Sequence, residues 1–217
     1  MPPRAPHTDA QEFLARVVER YAGMSSYADT GVVRQWFGRD DPPLETRFST
    51  LFKKPSRFRF EFRSPHPFPP LRHIVCTHVV GSDGGTAYSL TKQYEETASL
   101  GVEESLSMAI AGATGISAGS AHSIGRLLVP EVTGFSLLDL FDAVFEGETE
   151  VDGTLCWTIR AKRQKGSEMV LGIEKGTLLL RRCAETLGKV PSEELRENIR
   201  LNGPLDDQLF AVPKNEI

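Results

Sequence analysis

A helical spacing of apolar residues marks the first predicted element of the chain. Between residues 13 and 21, apolar side chains recur at intervals of three and four, which places them on one face of a helix. Thr8 is the predicted N-cap, Gln11 completes a capping box, and Gly23 is expected to end the helix. The proline-rich residues 1–7 are expected to form an extended leader before this helix.

Alternation of apolar and polar residues then predicts a series of strands. The clearest is residues 57–63, where Phe58, Phe60 and Phe62 alternate with charged residues. Alternation this strict indicates one face toward a core and one toward water. Asp-Gly turns and other short connections indicate an antiparallel meander. The remaining predicted strands are 27–37, 44–53, 71–80, 86–90, 92–99, 143–150, 155–163, 168–174, 177–184, and a last pair near Leu187 and 199–202.

Residues 101–141 interrupt the strand pattern with a helical insert. Residues 102–113 and 121–129 are predicted as short helices, residues 112–119 as a connector rich in Gly, Ala and Ser, and residues 136–141 as a third helical segment. Each glycine weakens a helix by about 1 kcal/mol relative to alanine, so the order of this insert must come from packing. We expect it to act as a lid or plug.

These elements predict an α+β protein. The fold is expected to be an open, incomplete antiparallel β-barrel of about ten strands, because a meander with one apolar face must curl around that face or be covered. The N-terminal helix and the mid-chain insert are the available covers. The 217 residues are expected to form a single domain.

Composition narrows the classes of function. Hydrophobic residues make up 40% of the chain and charged residues 25%, which excludes general disorder. A net charge of −4 argues against a nucleic-acid binder, and no apolar run reaches the length of a membrane span. Cys76, Cys156 and Cys183 are expected to be buried thiols, because hairpin arithmetic keeps the last two too far apart for a disulfide.

Two sequence motifs suggest chemistry, but their context does not support it. Residues 115–119 match G-x-S-x-G, yet a helical segment precedes them and the downstream His122 comes before any suitable acid. His73, Cys76 and His78 include only two residues on one strand face, whereas a closed zinc site needs four ligands. No catalytic residue, metal or cofactor is predicted.

Three runs of charged residues are interpreted as solvated surface rather than as functional sites. Glu103–Glu104 and Glu193–Glu194 are interpreted as solvated helix starts. A basic run on the third and fourth predicted elements is interpreted as a solvated outer face, with docking to an acidic protein or a membrane surface as the alternative. Because the interleaved phenylalanines point to the opposite face, base stacking and a nucleic-acid partner are not expected. The basic residues are Lys53, Lys54, Arg57, Arg59 and Arg63, and the first four are the expected docking residues.

The order of elements resembles the LolA/LolB-like superfamily of unclosed β-barrels, which includes bacterial periplasmic lipoprotein carriers, mycobacterial lipid-carrying lipoproteins and anti-sigma regulators. A group of predicted exported bacterial proteins is more similar still. The resemblance covers residues 10–212 and implies a hydrophobic cavity for acyl chains under a helical lid. The phrases that carry it are residues 21–31 and 54–61, the Asp-Gly turn at 83–84 before Tyr88, the helical insert, and residues 177–182.

The resemblance and the apolar concave face together predict non-enzymatic binding or carriage of a hydrophobic ligand, a lipid acyl chain or a lipoprotein, in the bacterial cell envelope. The alternative is a regulatory or protein-interaction module of the same fold with a filled cavity. The resemblance implies a periplasmic or otherwise exported location, with a cytoplasmic one as the alternative. The expected ligand-binding residues are Phe48, Phe52, Phe58, Phe60, Phe62, Tyr88, Met108, Ile110, Leu127 and Leu128.

Overall fold

Helix α1 begins the part of the chain that the structure describes. The computed structural model describes residues 9–38, 41–66, 69–93, 97–164 and 167–213, so the predicted leader and Thr8 lie outside the described residues. Helix α1 spans Ala10–Ala22 and ends at Gly23, as predicted. The N-cap position belongs to Asp9 rather than Thr8, and the Asp9 side chain makes no capping hydrogen bond within the described residues.

Within the described ranges, eleven antiparallel strands form one sheet. The strands are β1 Ser26–Gln35, β2 Leu44–Lys53, β3 Arg57–Pro65, β4 Val75–Asp83, β5 Ala87–Gln93, β6 Thr97–Glu103, β7 Phe141–Val151, β8 Thr154–Lys162, β9 Glu168–Glu174, β10 Leu180–Leu187 and β11 Val190–Leu201. Their order across the sheet is β6-β5-β4-β3-β2-β1-β11-β10-β9-β8-β7.

This order divides the sheet into two meanders, β1–β6 and β7–β11. The pairing of β1 with β11 joins them at the centre, and β6 and β7 form the two outer edges. In the described part of the chain no ladder connects β6 to β7, so the barrel is open. The predicted α+β fold, an incomplete antiparallel barrel with helices on its concave side, is therefore confirmed.

The insert crosses the concave side from one edge of the sheet to the other. Helix α2 spans Leu106–Thr114 and packs near β4 and β5, whereas α3 spans Ser120–Leu128 and contacts α1 and α2. A short 3-10 turn at Leu137–Asp139 lies beside α1 and leads into β7. The insert is shorter than residues 101–141, because residues 101–103 complete β6 and residue 141 begins β7.

The last strand is the largest difference from the sequence prediction. Strand β11 has 12 residues, of which only the end was predicted as strand. Its buried positions do alternate, but they are occupied by Ser192, Glu194 and Arg196. Buried and partly exposed positions therefore alternate along β11, but hydrophobic and polar residues do not. The interpretation of Glu193–Glu194 as a solvated helix start is wrong, since both residues lie in β11 and Glu194 is buried.

The cysteine prediction is confirmed. Cys76, Cys156 and Cys183 are buried free thiols. Cys183 pairs in register with Leu171 and Cys156 with Glu174, so β9 separates the two cysteine-bearing strands.

Candidate ligand cavity and buried charge cluster

The predicted phenylalanine cluster lies on the concave side, where it is packed solid. Phe58, Phe60 and Phe62 are fully buried. Phe60 stacks on Phe48 at 5.3 Å between ring centroids and contacts Phe62 at 5.7 Å. Phe52, Ile110 and Leu128 belong to the same core. These side chains are part of the main hydrophobic core and have almost no solvent-accessible surface.

Two predicted site residues lie elsewhere. Tyr88 pairs in register with Gly81, which pairs with Arg59, so Tyr88 is on the outer face of the sheet, opposite the three phenylalanines of β3. Its placement on the concave face was wrong because the sequence pattern of β5 did not fix its register relative to β3. Met108 lies on the outside of α2 with 55% of its surface exposed, although it was expected to face the sheet.

A cavity of 420 Å³ lies between α3 and the β7–β11 meander. Leu127 lines it from α3, and it is the one predicted site residue that does so among the described lining residues. The opposite wall consists of apolar side chains from β9 and β10. These are Met169, Leu171, Leu180 and Cys183.

Charged side chains also line this cavity. The Arg163 guanidinium pairs with Glu185 at 2.6 Å and lies 4.1 Å from the centre of the Phe135 ring. Arg126 donates through Nη1 to the Pro130 carbonyl at 3.0 Å, and its buried Nε has no hydrogen-bond partner within the described residues. Glu194 lines the cavity beside Ser123, whose hydroxyl donates to its carboxylate at 3.0 Å.

Glu194 is one member of a buried charge cluster that consists of Asp29, Glu194 and Arg196. Arg196 is fully buried in the middle of the sheet, bonds Asp29 at 2.6 Å and also pairs with Glu194. Its Nη2 donates to the Ser120 carbonyl at the start of α3, at 3.2 Å. Tyr27 donates its hydroxyl to Asp29 at 2.6 Å. The charge cluster thus joins β1 and β11 to α3.

Burial and neighbouring charges shift the pKa values of two members of this charge cluster, Glu194 and Arg196. Desolvation raises the pKa of Glu194, despite the opposing effects of Arg196 and of the Ser123 hydrogen bond. Desolvation also opposes the charge on Arg196, but Glu194 and Asp29 outweigh it and raise the pKa of the guanidinium. Arg196 therefore stays charged, and it offsets the cost of burying the carboxylates beside it.

The residues of the G-x-S-x-G motif form part of the helical insert. Ser117 is fully buried, and its backbone N–H donates to the Ala113 carbonyl at 2.9 Å. Its hydroxyl donates to the Thr114 carbonyl at 3.4 Å rather than to a histidine. The nearest candidate base in sequence, His122, lies with Nε2 3.0 Å from the Thr133 carbonyl. The arrangement is that of a turn between two helices.

His78 is one of the three residues considered as metal ligands, with His73 and Cys76. Among the described residues, no three His, Cys, Asp or Glu side chains lie close enough to hold a metal ion. His78 instead stacks on Phe62 at 4.8 Å between ring centroids, and its Nδ1 lies 3.0 Å from the Thr91 hydroxyl. None of the described helices is long and apolar enough to cross a membrane.

The predicted basic surface is largely engaged by the chain itself. Asp207 contacts Lys53 at 2.6 Å and Arg57 at 3.2 Å, and Arg59 pairs with Glu61 at 3.0 Å. Lys54 donates to the Ala22 carbonyl at 2.7 Å. Residues 203–213 therefore lie along this outer face. Their Phe210 is fully buried, and Val212 packs on a small outer core of Val79, Tyr88 and Leu90.

Comparisons with known proteins identify the fold. No protein-family model and no curated protein matches the chain. The lipoprotein LppX from Mycobacterium tuberculosis is similar in structure, with 12% identity over 91% of this chain and 97% of that chain and a TM-score of 0.53. An uncharacterized conserved protein from Thermus thermophilus is 15% identical over 96% of both chains, with a TM-score of 0.50. A LolA superfamily protein from Nitrosomonas europaea is 10% identical over 94% of this chain and 98% of that chain, with a TM-score of 0.39.

At such low identity, the similarity concerns the fold. The two structures with TM-scores of 0.53 and 0.50 support the predicted fold, an open antiparallel sheet with helices on its concave side. What the cavity holds is a separate question, which depends on the side chains of this chain.

Most of the side chains that line the cavity could not be predicted from the sequence. The majority come from the connector before α3, from α3 itself, from residues 135–137 and from β9–β11, and no single sequence motif joins them. The sequence of β11 offers no signal either, because Glu193 and Glu197 on the outer face are as polar as Ser192, Glu194 and Arg196 on the inner one. The alternation of this strand is visible only in its burial.

Proposed function

We propose that the protein is a non-enzymatic binding or carrier protein for a hydrophobic ligand, a lipid acyl chain in the bacterial cell envelope. The observation that supports the proposal most directly is the 420 Å³ cavity between α3 and the sheet. Its size falls within the range of small-molecule sites, and its walls are mostly apolar. Transfer of an alkyl chain into it would contribute about 0.8 kcal/mol per methylene group.

The mechanism in this proposal is passive. The ligand enters between α3 and β9–β11, and the apolar wall of Met169, Leu171 and Leu180 removes it from water. No bond is made or broken. The insert has to yield to admit the ligand, while the Arg196 hydrogen bond to the Ser120 carbonyl holds the start of α3 against the sheet.

Filling the cavity tests this proposal. Cys183 lines the cavity, so Cys183→Trp places a large side chain in the space expected to hold the ligand. Binding of a fluorescent alkyl-chain probe should fall at least about tenfold, while circular dichroism stays that of the wild type. Leu138→Trp is the matched control, because Leu138 is half exposed and does not line the cavity. Failure of the wild-type protein to bind any alkyl-chain probe would refute the proposal.

A second candidate function is a regulatory or protein-interaction module. The observation that favours it is the solid packing of the phenylalanine cluster, which fills the concave side of the β1–β6 meander. A protein of this kind would retain wild-type partner binding in Cys183→Trp and would carry no co-purified lipid in native mass spectrometry. A cell-envelope location belongs to the proposed carrier function, and fractionation of the native host distinguishes it from the cytoplasm.

A further inference from the structure

The size of the cavity restricts the number of methylene groups that it can hold. A methylene group has about the volume of a water molecule in the liquid, about 30 Å³. The cavity of 420 Å³ therefore has room for about 14 methylene groups in all, which matches one alkyl chain of that length. If the proposed function is correct, a single-chain amphiphile is sufficient to fill it.

The charges that line the cavity are paired with one exception. Arg163 is held by Glu185, and Glu194 accepts hydrogen bonds from Ser123 and pairs with Arg196. Arg126 has no carboxylate partner within the described residues. The acceptors in this wall are therefore already engaged, and the remaining group is a cationic donor.

One edge of the Arg126 guanidinium group makes no hydrogen bond within the described residues. Nη1 donates to the Pro130 carbonyl at 3.0 Å, whereas Nε is buried and has no partner in the part of the chain that the structure describes. A buried donor without a partner is costly, and a turn of the Arg126 side chain that brings Nε to a ligand acceptor in the cavity would remove that cost. The Nε–Nη2 edge of a guanidinium matches two oxygens of a carboxylate or a phosphate.

We propose that the cavity binds a single-chain anionic amphiphile whose carboxylate or phosphate is held by Arg126. This inference rests on the proposed function and adds the length of the chain, the charge of the head group and the residue that recognises it. Arg126 and Leu127 both line the cavity from α3, which places the head-group site beside an apolar lining residue.

The test compares ligands with one chain length and different head groups at pH 8. The probes are myristate, tetradecyl phosphate, tetradecanol and tetradecyltrimethylammonium. The wild-type protein should bind an anionic probe at least about tenfold more tightly than tetradecanol, as expected for a hydrogen bond to a charged group. The tighter of myristate and tetradecyl phosphate identifies the head group as carboxylate or phosphate.

Substitution of Arg126 separates its role from the stability of the fold. Arg126→Met should weaken binding of the anionic probe by about 10- to 100-fold and leave tetradecanol binding unchanged. Arg126→Lys should keep part of the preference for anions. Arg200→Met, an exposed change on β11, is the matched control and should bind like the wild type.

The outcomes distinguish the two proposals. Equal binding of tetradecanol and both anions, or an equal loss of both in Arg126→Met, would overturn the role of Arg126 and leave the carrier function intact. Preferential binding of the quaternary ammonium probe would also overturn it. If no probe binds, the carrier function and this inference fail together.

Discussion

The two meanders of the sheet cover their concave faces in opposite ways. Beneath β2–β4, Phe58, Phe60 and Phe62 are fully buried, Phe60 stacks on Phe48, and α2 completes the packing. Beneath β9–β11, smaller side chains leave a cavity, and the buried charge cluster stands at the boundary between the two halves. Strong hydrophobic alternation therefore indicates solid packing, whereas the cavity lies where apolar and polar side chains are mixed.

The charge cluster gives the strongest test of this boundary. Arg196→Met should lower the free energy of unfolding by up to about 5 kcal/mol, because it leaves Asp29 and Glu194 buried without their cation. Urea unfolding followed by circular dichroism measures the change. Arg200→Met controls for the loss of an arginine from β11.

A combined variant distinguishes charge from packing in this test. Asp29→Asn and Glu194→Gln, added to Arg196→Met, remove all three charges and should recover much of the lost stability. A triple variant as unstable as Arg196→Met alone would mean that the arginine acts through its packing against Phe48, whose ring centre lies 4.8 Å away.

A pair of truncations compares the packed half with the hollow half. Phe60→Ala should lower the free energy of unfolding by about 3–5 kcal/mol, as expected for a large side chain in a tight core. Leu171→Ala should cost about 2 kcal/mol, because Leu171 already borders empty space and loses fewer contacts. Equal costs in thermal or urea unfolding would show that the two halves are packed alike.

The pH dependence of stability tests Glu194. Since burial raises its pKa in the folded protein, the proton is held there to higher pH than in the unfolded chain, where the ordinary value is 4.5. The stability that this proton contributes is complete below pH 4.5 and is lost as the pH rises through the raised pKa. Glu194→Gln cannot ionise, so its unfolding free energy relative to wild type should increase above pH 4.5 and then level off. A difference that falls with pH in urea titrations would contradict the assignment.

The smallest effect is expected on the outer face. Asp207→Asn removes the partner of Lys53 and Arg57, but all three side chains are solvent-accessible and such pairs contribute little. The midpoint of thermal unfolding should not change measurably. Phe210→Ala, which empties a buried site in the same segment, should lower it clearly. If Asp207→Asn were as destabilising as Phe210→Ala, ion pairs rather than apolar burial would hold this segment in place.

The sequence predicts strands reliably where burial and hydrophobicity coincide. Strand β3 is an example, because Phe58, Phe60 and Phe62 face the core and charged residues face outward. Strand β11 shows the limit: its inward residues form ion pairs with β1 and hydrogen bonds with α3, and neither partner is near in sequence. The open barrel could therefore be predicted from the order of elements, but most of the cavity and the charge cluster could not.

Tyr88 shows a second reason why part of the site could not be predicted from the sequence. The alternation in β5 assigns residues to two faces but does not say which face is concave. The tail at residues 203–213 supplies a second apolar surface on the outside, so a buried aromatic residue is compatible with either face. Only the register with Gly81 and Arg59 decides it.

The central pairing of β1 with β11 determines when the protein can complete its fold. Asp29 and Arg196 are 167 residues apart, and the register that joins their strands runs from Tyr27 opposite Leu201 to Gln35 opposite Ser192. Contacts this distant in sequence form slowly, because most of the chain must be ordered to bring them together. During synthesis, the middle of the sheet stays incomplete until β11 has left the ribosome, so the β1 edge of the first meander remains unpaired until then.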